Sequence, residues 1–226
     1  MEGTISTPMS LKPRLWQRGL NYLLQVVWVV ALVYIVQLFI FAIRPGYVEV
    51  IRVCTEPDCT KSQLTPVGVA SLNRLGISLH AYAVIQLTVI YALAAIYATV
   101  SALIFRAKRH DNIAIYVALV LLLFGAFVSD YVDILREVQP QFASLVDILP
   151  GVTLIAFAIL CYVFPDGRFV PRWTRWAAVG WIAAPVILTI AMVYDAYEVA
   201  AGPISVFLLV LLATCVIAPI YRYRRL

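Results

Sequence analysis

Residues 20–43 read LNYLLQVVWVVALVYIVQLFIFAI, 24 positions without one Asp, Glu, Lys or Arg. A run of about 20 apolar residues, wound as a helix, crosses the hydrocarbon layer of a bilayer. Five further runs share the property: 77–105, 112–129, 148–164, 177–194 and 199–221. They are continuous and do not alternate, which argues against a membrane barrel. Backbone groups in lipid must be paired within their own segment, so the runs are predicted to be helices.

The expected fold class is therefore all-α: a polytopic bundle of six transmembrane helices with both termini cytoplasmic. Residues 1–19 form a cytoplasmic segment and 20–221 the membrane domain. The spans fall at about 20–43, 77–105, 113–135, 146–164, 176–195 and 204–221, with an outer loop over 44–76 and a cytoplasmic end at 222–226. The first run exceeds an ordinary signal-peptide core and has no small-x-small cleavage site before Arg44, so it reads as a retained anchor in the cell membrane.

Charge sets the orientation. The segments assigned to the inside hold Lys12, Arg14, Arg18; Arg106, Lys108, Arg109; Arg168, Arg172, Arg175; and Arg222, Arg224, Arg225, which is 12 of 17 basic residues. Arg44, Arg52, Lys61, Arg74 and Arg136 lie outside. This asymmetry is the positive-inside pattern, and it explains the net charge of +5 without a nucleic-acid partner.

Local signals fill in the connections. Pro45-Gly46 is expected to stop the first helix, and Tyr47–Val53, rich in Val, Ile and Tyr, suits a short extended segment. Pro57-Asp58 favours a turn that brings Cys54 and Cys59 together, and an outward loop is where a disulfide persists. Thr65-Pro66 reads as an N-cap followed by proline at the first helical position. The helix that follows is amphipathic and either lies on the membrane surface or packs on the bundle. Ala94, Ala98 and Ala102 mark a face for close helix approach. Pro150 is expected in the first turns of its helix, Pro185 at mid-span, and Gly202-Pro203 as a chain restart before the last span. Cys161 and Cys215 lie within spans, as small hydrophobes.

Ionisable residues collect toward the outer face: His80, Asp130, Asp133, Asp147, Asp195 and Glu198. They form a candidate polar cavity for a cation, metal or small ligand; an ordinary wet rim of helix ends is the other reading. No charge lies at mid-depth, so no proton relay is indicated. A haem held by two histidines is excluded, because His80 and His110 stand at opposite ends of one helix. No metal site, cofactor, phosphate-cradling glycine loop or catalytic residue is indicated. On the inner side, residues 164–176 read FPDGRFVPRWTRW. Pro165, Asp166, Gly167, Arg168, Arg172, Trp173, Arg175 and Trp176 form an anchoring or signalling hairpin there. Its arginines suit lipid phosphates and its tryptophans suit the headgroup layer.

That hairpin, with VCTEPDCTKSQLTPVGVASLNRLGISLHAYA at 53–83, resembles the multi-span membrane input region of certain bacterial sensor histidine kinases and related uncharacterised proteins. The resemblance implies a sensor-like module that passes an extracytoplasmic stimulus to a cytoplasmic signalling partner. A transmitter would follow the last span, and only Tyr221-Arg-Tyr-Arg-Arg-Leu226 stands there, so no kinase activity is expected of this chain. A structural subunit packing against other membrane subunits, a homodimer among them, and a small-molecule or ion transporter are the alternatives.

Overall fold

The computed structural model describes residues 12–55, 63–128, 140–164, 167, 169, 171–193 and 197–224. Among them every regular element is a helix: α1 (Lys12–Ile51), α2 (Pro66–Arg74), α3 (Leu79–Ala107), α4 (Asn112–Phe127), α5 (Pro140–Val163), α6 (Thr174–Val193) and α7 (Tyr197–Tyr223). Three helical stretches are long and apolar enough to cross a membrane: Arg18–Ile51, Leu79–Ala107 and Gly202–Tyr221. Asn112–Phe127 and Ile148–Val163 are shorter apolar helices.

The surface demands a non-aqueous partner. Only 6% of the most apolar window of α3 is buried inside the protein. Leu23, Val30, Val33 and Ile40 of α1, with Val89, Ile96 and Leu103 of α3, face outward. Soluble monomers rarely expose contiguous apolar patches beyond a few hundred Å². Lipid chains would cover such a face at no cost to hydration.

Helix α1 corrects the expected stop at Pro45-Gly46. It runs unbroken through Pro45 for 40 residues and ends at Ile51, so Tyr47–Ile51 is helical and not extended. Proline in a helix interior loses one backbone bond and costs about 3 kcal/mol. Here the continued helix buries Val50 against Ala83 at the start of α3, with Tyr47, Ile51, Tyr82 and Leu87 around them. Gly46 is also buried.

Two further helices overrun proline signals. Pro150 lies well inside α5, which begins at Pro140, and is not in its first turns. Gly202-Pro203 is interior to α7 and does not restart the chain. Breaking a helix in lipid would orphan several backbone groups, whereas one proline removes a single bond. Pro185 is interior to α6, as expected.

Besides that contact of Val50 with Ala83, two larger clusters make the core. The first joins α1, α3, α4 and α5 through residues such as Trp28, Leu38, Ile115, Leu122 and Leu149. Trp28 stacks on Phe105, ring centroids 4.0 Å apart. Its Nε1 donates to Ser101 Oγ at 2.9 Å, and Ser101 donates onward to the Ala118 carbonyl at 2.6 Å. One buried relay thus ties three helices. Ala94, Ala98 and Ala102 pack against this cluster. The second cluster joins α5, α6 and α7 around Tyr162, Trp181, Leu211 and Cys215. Helix α5 serves both, packing on α4 on one side and on α6 and α7 on the other. The Tyr116 hydroxyl reinforces the α4–α5 seam by donating to the Ala156 carbonyl at 2.8 Å.

Candidate functional site

The two ends of α1 carry the polar structure. At the C-terminal end, Glu49 is buried and accepts a hydrogen bond from Gln63 Nε2 at 2.6 Å, with Arg52 at 3.9 Å. The Cys54 amide donates to the Leu64 carbonyl at 2.9 Å, beside an isolated parallel bridge between Val53 and Leu64. Cys54 is buried and disulfide-bonded, whereas Cys161 and Cys215 are free thiols. Cys59 lies outside the described residues. These contacts strap the connecting loop to the top of α1.

The strap continues into α2. Thr65 caps it, its Oγ1 accepting from the Gly68 amide at 3.3 Å, and Pro66 follows at the first position. Gly76, at φ +71°, turns the chain out of α2 and toward Ser78, which caps α3. No residue of α2 is buried, so its apolar side chains are not sunk into the bundle.

Of the outer polar group expected from sequence, only His80 has a described side chain. It is exposed, and its Nδ1 lies 2.9 Å from the Tyr47 hydroxyl. Asp130, Asp133 and Asp195 lie outside the described residues. Asp147 and Glu198 occupy α5 and α7, with side chains outside the described set. Sequence reasoning passed over Glu49, whose burial follows from the unexpected extension of α1. The Gln86 Oε1 is buried without a donor among the described residues. No group of three or more potential metal ligands occurs among them.

At the N-terminal end of α1 lies a cavity of about 1230 Å³. Helix α1 contributes Arg18, Asn21, Leu24 and Gln25 to its wall. The α3–α4 turn and the start of α4 contribute His110, Asp111, Asn112 and Tyr116; the end of α5 contributes Ile159, Leu160 and Val163. Amide side chains lace the polar side. Asn21 Nδ2 donates to Asn112 Oδ1 at 2.8 Å, and Gln25 Nε2 donates to Asn21 Oδ1 and to the Arg109 carbonyl, each at 2.7 Å. The Asp111 carboxylate is committed to capping α4, accepting from the Ile113 and Ala114 amides at 2.9 and 3.4 Å. Sequence reasoning used Arg18 and Arg109 only as topology markers. The overlooked signal is Asn21 and Gln25, four residues apart and so on one face of α1.

Gly167, between α5 and α6, also lines this cavity. Gly167 adopts φ +71°, and its amide donates to the Val163 carbonyl at 2.9 Å. Pro165, Asp166 and Arg168 lie outside the described residues. Arg172, Trp173, Arg175 and Trp176 are exposed, with the Arg175 guanidinium 5.6 Å from the Trp176 ring centre. Buried Thr174 anchors the start of α6, its hydroxyl donating to the Pro171 carbonyl at 2.8 Å.

Two consequences are measurable. Reducing the Cys54 disulfide should loosen the strap, because the cross-link restricts the unfolded chain. Hydrogen exchange at the Cys54 amide should rise, while the Trp28–Ser101 region of the core stays protected. Gly167→Ala should lower thermal stability by about 1–2 kcal/mol, because an L side chain resists the left-handed region. Its Cβ would also stand 3.1 Å from Ile113 Cδ1. Gly167→Asn should lose less through the backbone, since asparagine tolerates that conformation better. Thermal unfolding of the purified variants checks both.

No protein-family model, curated protein or solved structure matches the chain.

Proposed function

We propose that the chain is a six-span, sensor-like module of the cell membrane, with both ends cytosolic and no catalysis of its own. A stimulus at the outer strap would be passed by helix displacement to a cytoplasmic partner at the inner hairpin. The observation that carries this reading is the single span of α1. It runs unbroken from Lys12 to Ile51 and is 40 residues long, about 60 Å at helical rise. One end is tied to the strap through Glu49; the other is tied to the α3–α4 turn through Asn21 and Gln25. A stiff rod held at both ends conveys a push or a rotation more directly than a chain of loops.

Three further features support the reading. The 12 basic residues assigned inward favour this orientation. Arg18, His110 and Gly167, from three assigned inner segments, line one cavity. The sequences at 53–83 and 164–176 resemble the sensor-kinase input regions. In this reading Cys54 pairs with Cys59, and Trp173 and Trp176 sit at the inner headgroups.

The test is a distance measurement in lipid. Spin labels on the inner ends of α1 and α7 report their separation before and after the strap is loosened by Glu49→Ala together with Cys54→Ala. A transmitting rod should shift that separation by about 1–2 Å, the size of helix movements in known switches. An unchanged separation with the strap demonstrably loosened would refute transmission through α1.

A further inference from the structure

The inner cavity has the anatomy of a site for an amphiphile. At about 1230 Å³ it exceeds the roughly 300–1,000 Å³ of ordinary small-molecule pockets. Its wall is divided. Arg18, His110 and Asn112 stand on the polar side, and Leu24, Ile159 and Leu160 form an apolar side that continues toward the bundle interior.

Charge selects the headgroup. Arg18 forms no ion pair among the described residues, and Arg106, Lys108 and Arg109 are exposed on the adjoining turn. The opposing charge is Asp111, whose oxygen already accepts two amide hydrogen bonds of α4. Asn112 offers its amide nitrogen as a further donor, since its oxygen is taken by Asn21. Cationic and amide donors beside an apolar wall match an anionic phosphodiester that carries acyl chains.

We infer that this cavity binds the phosphate headgroup of an anionic phospholipid, with the first part of its chains against Leu24, Ile159 and Leu160. The site is an intrabundle lipid position and is distinct from the exposed Arg172–Trp176 surface. It rests on the proposed crossing only in that the cavity mouth must lie at headgroup depth. A bound lipid would wedge α1 against α5 at the end where the rod meets the α3–α4 turn.

The test uses the full chain in phosphatidylcholine nanodiscs. Traces of phosphatidylglycerol or phosphatidylcholine are added, each bearing the same photoactivatable acyl chain. The glycerol probe should crosslink to residues 20–24 and 159–163 well above the choline probe. Removing one cation at a membrane surface forfeits about five-fold in binding, so Arg18→Gln should reduce that labelling about five-fold. Leu160→Trp, which fills the apolar side, should abolish it. In both variants labelling of the outward face of α7, at Leu209 and Val210, should be unchanged and certifies a folded bundle. Equal cavity labelling by the two probes, or labelling that survives both substitutions, would overturn the assignment. Competition by inorganic phosphate would also overturn it, because the ligand would then be a free anion and not a lipid. Thiol labelling of the two faces tests the crossing independently, so failure of that reading is told apart from failure of this site.

Discussion

Gly125→Val should be the most damaging conservative substitution in the chain. A Cβ at Gly125 would stand 2.6 Å from Tyr97 Cβ, a separation that real side chains do not reach. Tyr97 Cβ is fixed to the α3 backbone and cannot swing aside as a flexible tip would. The helices must therefore separate along the face that Ala94 and Ala98 keep narrow. Overpacking of this kind costs about 1–3 kcal/mol, and a β-branched residue at the clash belongs at the upper end. Purified Gly125→Val should unfold at distinctly lower temperature and give less folded protein in detergent. Gly151→Ala is the control, because nothing lies within 4 Å of a Cβ there. It should be neutral or stabilise by up to about 1 kcal/mol, as alanine replaces glycine in a helix interior.

Tyr162→Phe should have the next largest effect, and it acts on the other half of the bundle. The Tyr162 hydroxyl is the hub of the second cluster. It accepts from Trp181 Nε1 at 3.1 Å and from Cys215 Sγ at 3.4 Å, and lies 2.6 Å from Thr214 Oγ1. Phenylalanine keeps the ring and deletes the oxygen, so the buried indole N–H loses its acceptor. A buried group left unsatisfied costs about 1–3 kcal/mol. Single interhelical hydrogen bonds in membranes average nearer 0.6 kcal/mol, with a maximum of about 1.7. With the Leu211 carbonyl, which lies 3.4 Å away, four partners meet at one oxygen here, which places the expectation at about 1.5 kcal/mol. Hydrogen exchange should loosen α6 and α7 first, since α1, α3 and α4 belong to the other cluster. Equal loosening of both halves would show that the clusters are not separate units.

The helical class was legible because charge-free runs in lipid leave the backbone few alternatives. Thr65-Pro66 was legible because capping is local chemistry. The errors have two causes. Rules for Pro45-Gly46 and Gly202-Pro203 describe chains in water, where a broken helix can bond to solvent. In α1 the stop was also overridden by packing of Val50 on Ala83, a contact between residues 33 positions apart that no local reading contains. Glu49 escaped notice for the same reason, since its partner Gln63 is brought to it by the strap. The inner cavity was hidden because it is assembled from three chain segments, and the basic residues near it already had a sufficient explanation in topology. Asn21 and Gln25 are polar residues at the edge of an apolar run, ordinary as a pair and informative only once Asn112 and the Arg109 carbonyl are seen opposite them.

The central claim is that α1 reaches from a cytosolic cavity to an outer strap. Variants that each add one cysteine, at Val67 in the strap helix or at Lys108 or Tyr223 on the opposite face, with Cys161 and Cys215 replaced by alanine and the Cys54 disulfide left in place, test it in intact cells. All three positions are exposed. A membrane-impermeant maleimide should label Val67→Cys from outside, and Lys108→Cys and Tyr223→Cys only after the membrane is opened. Labelling of Val67→Cys and Lys108→Cys from the same side would contradict the account.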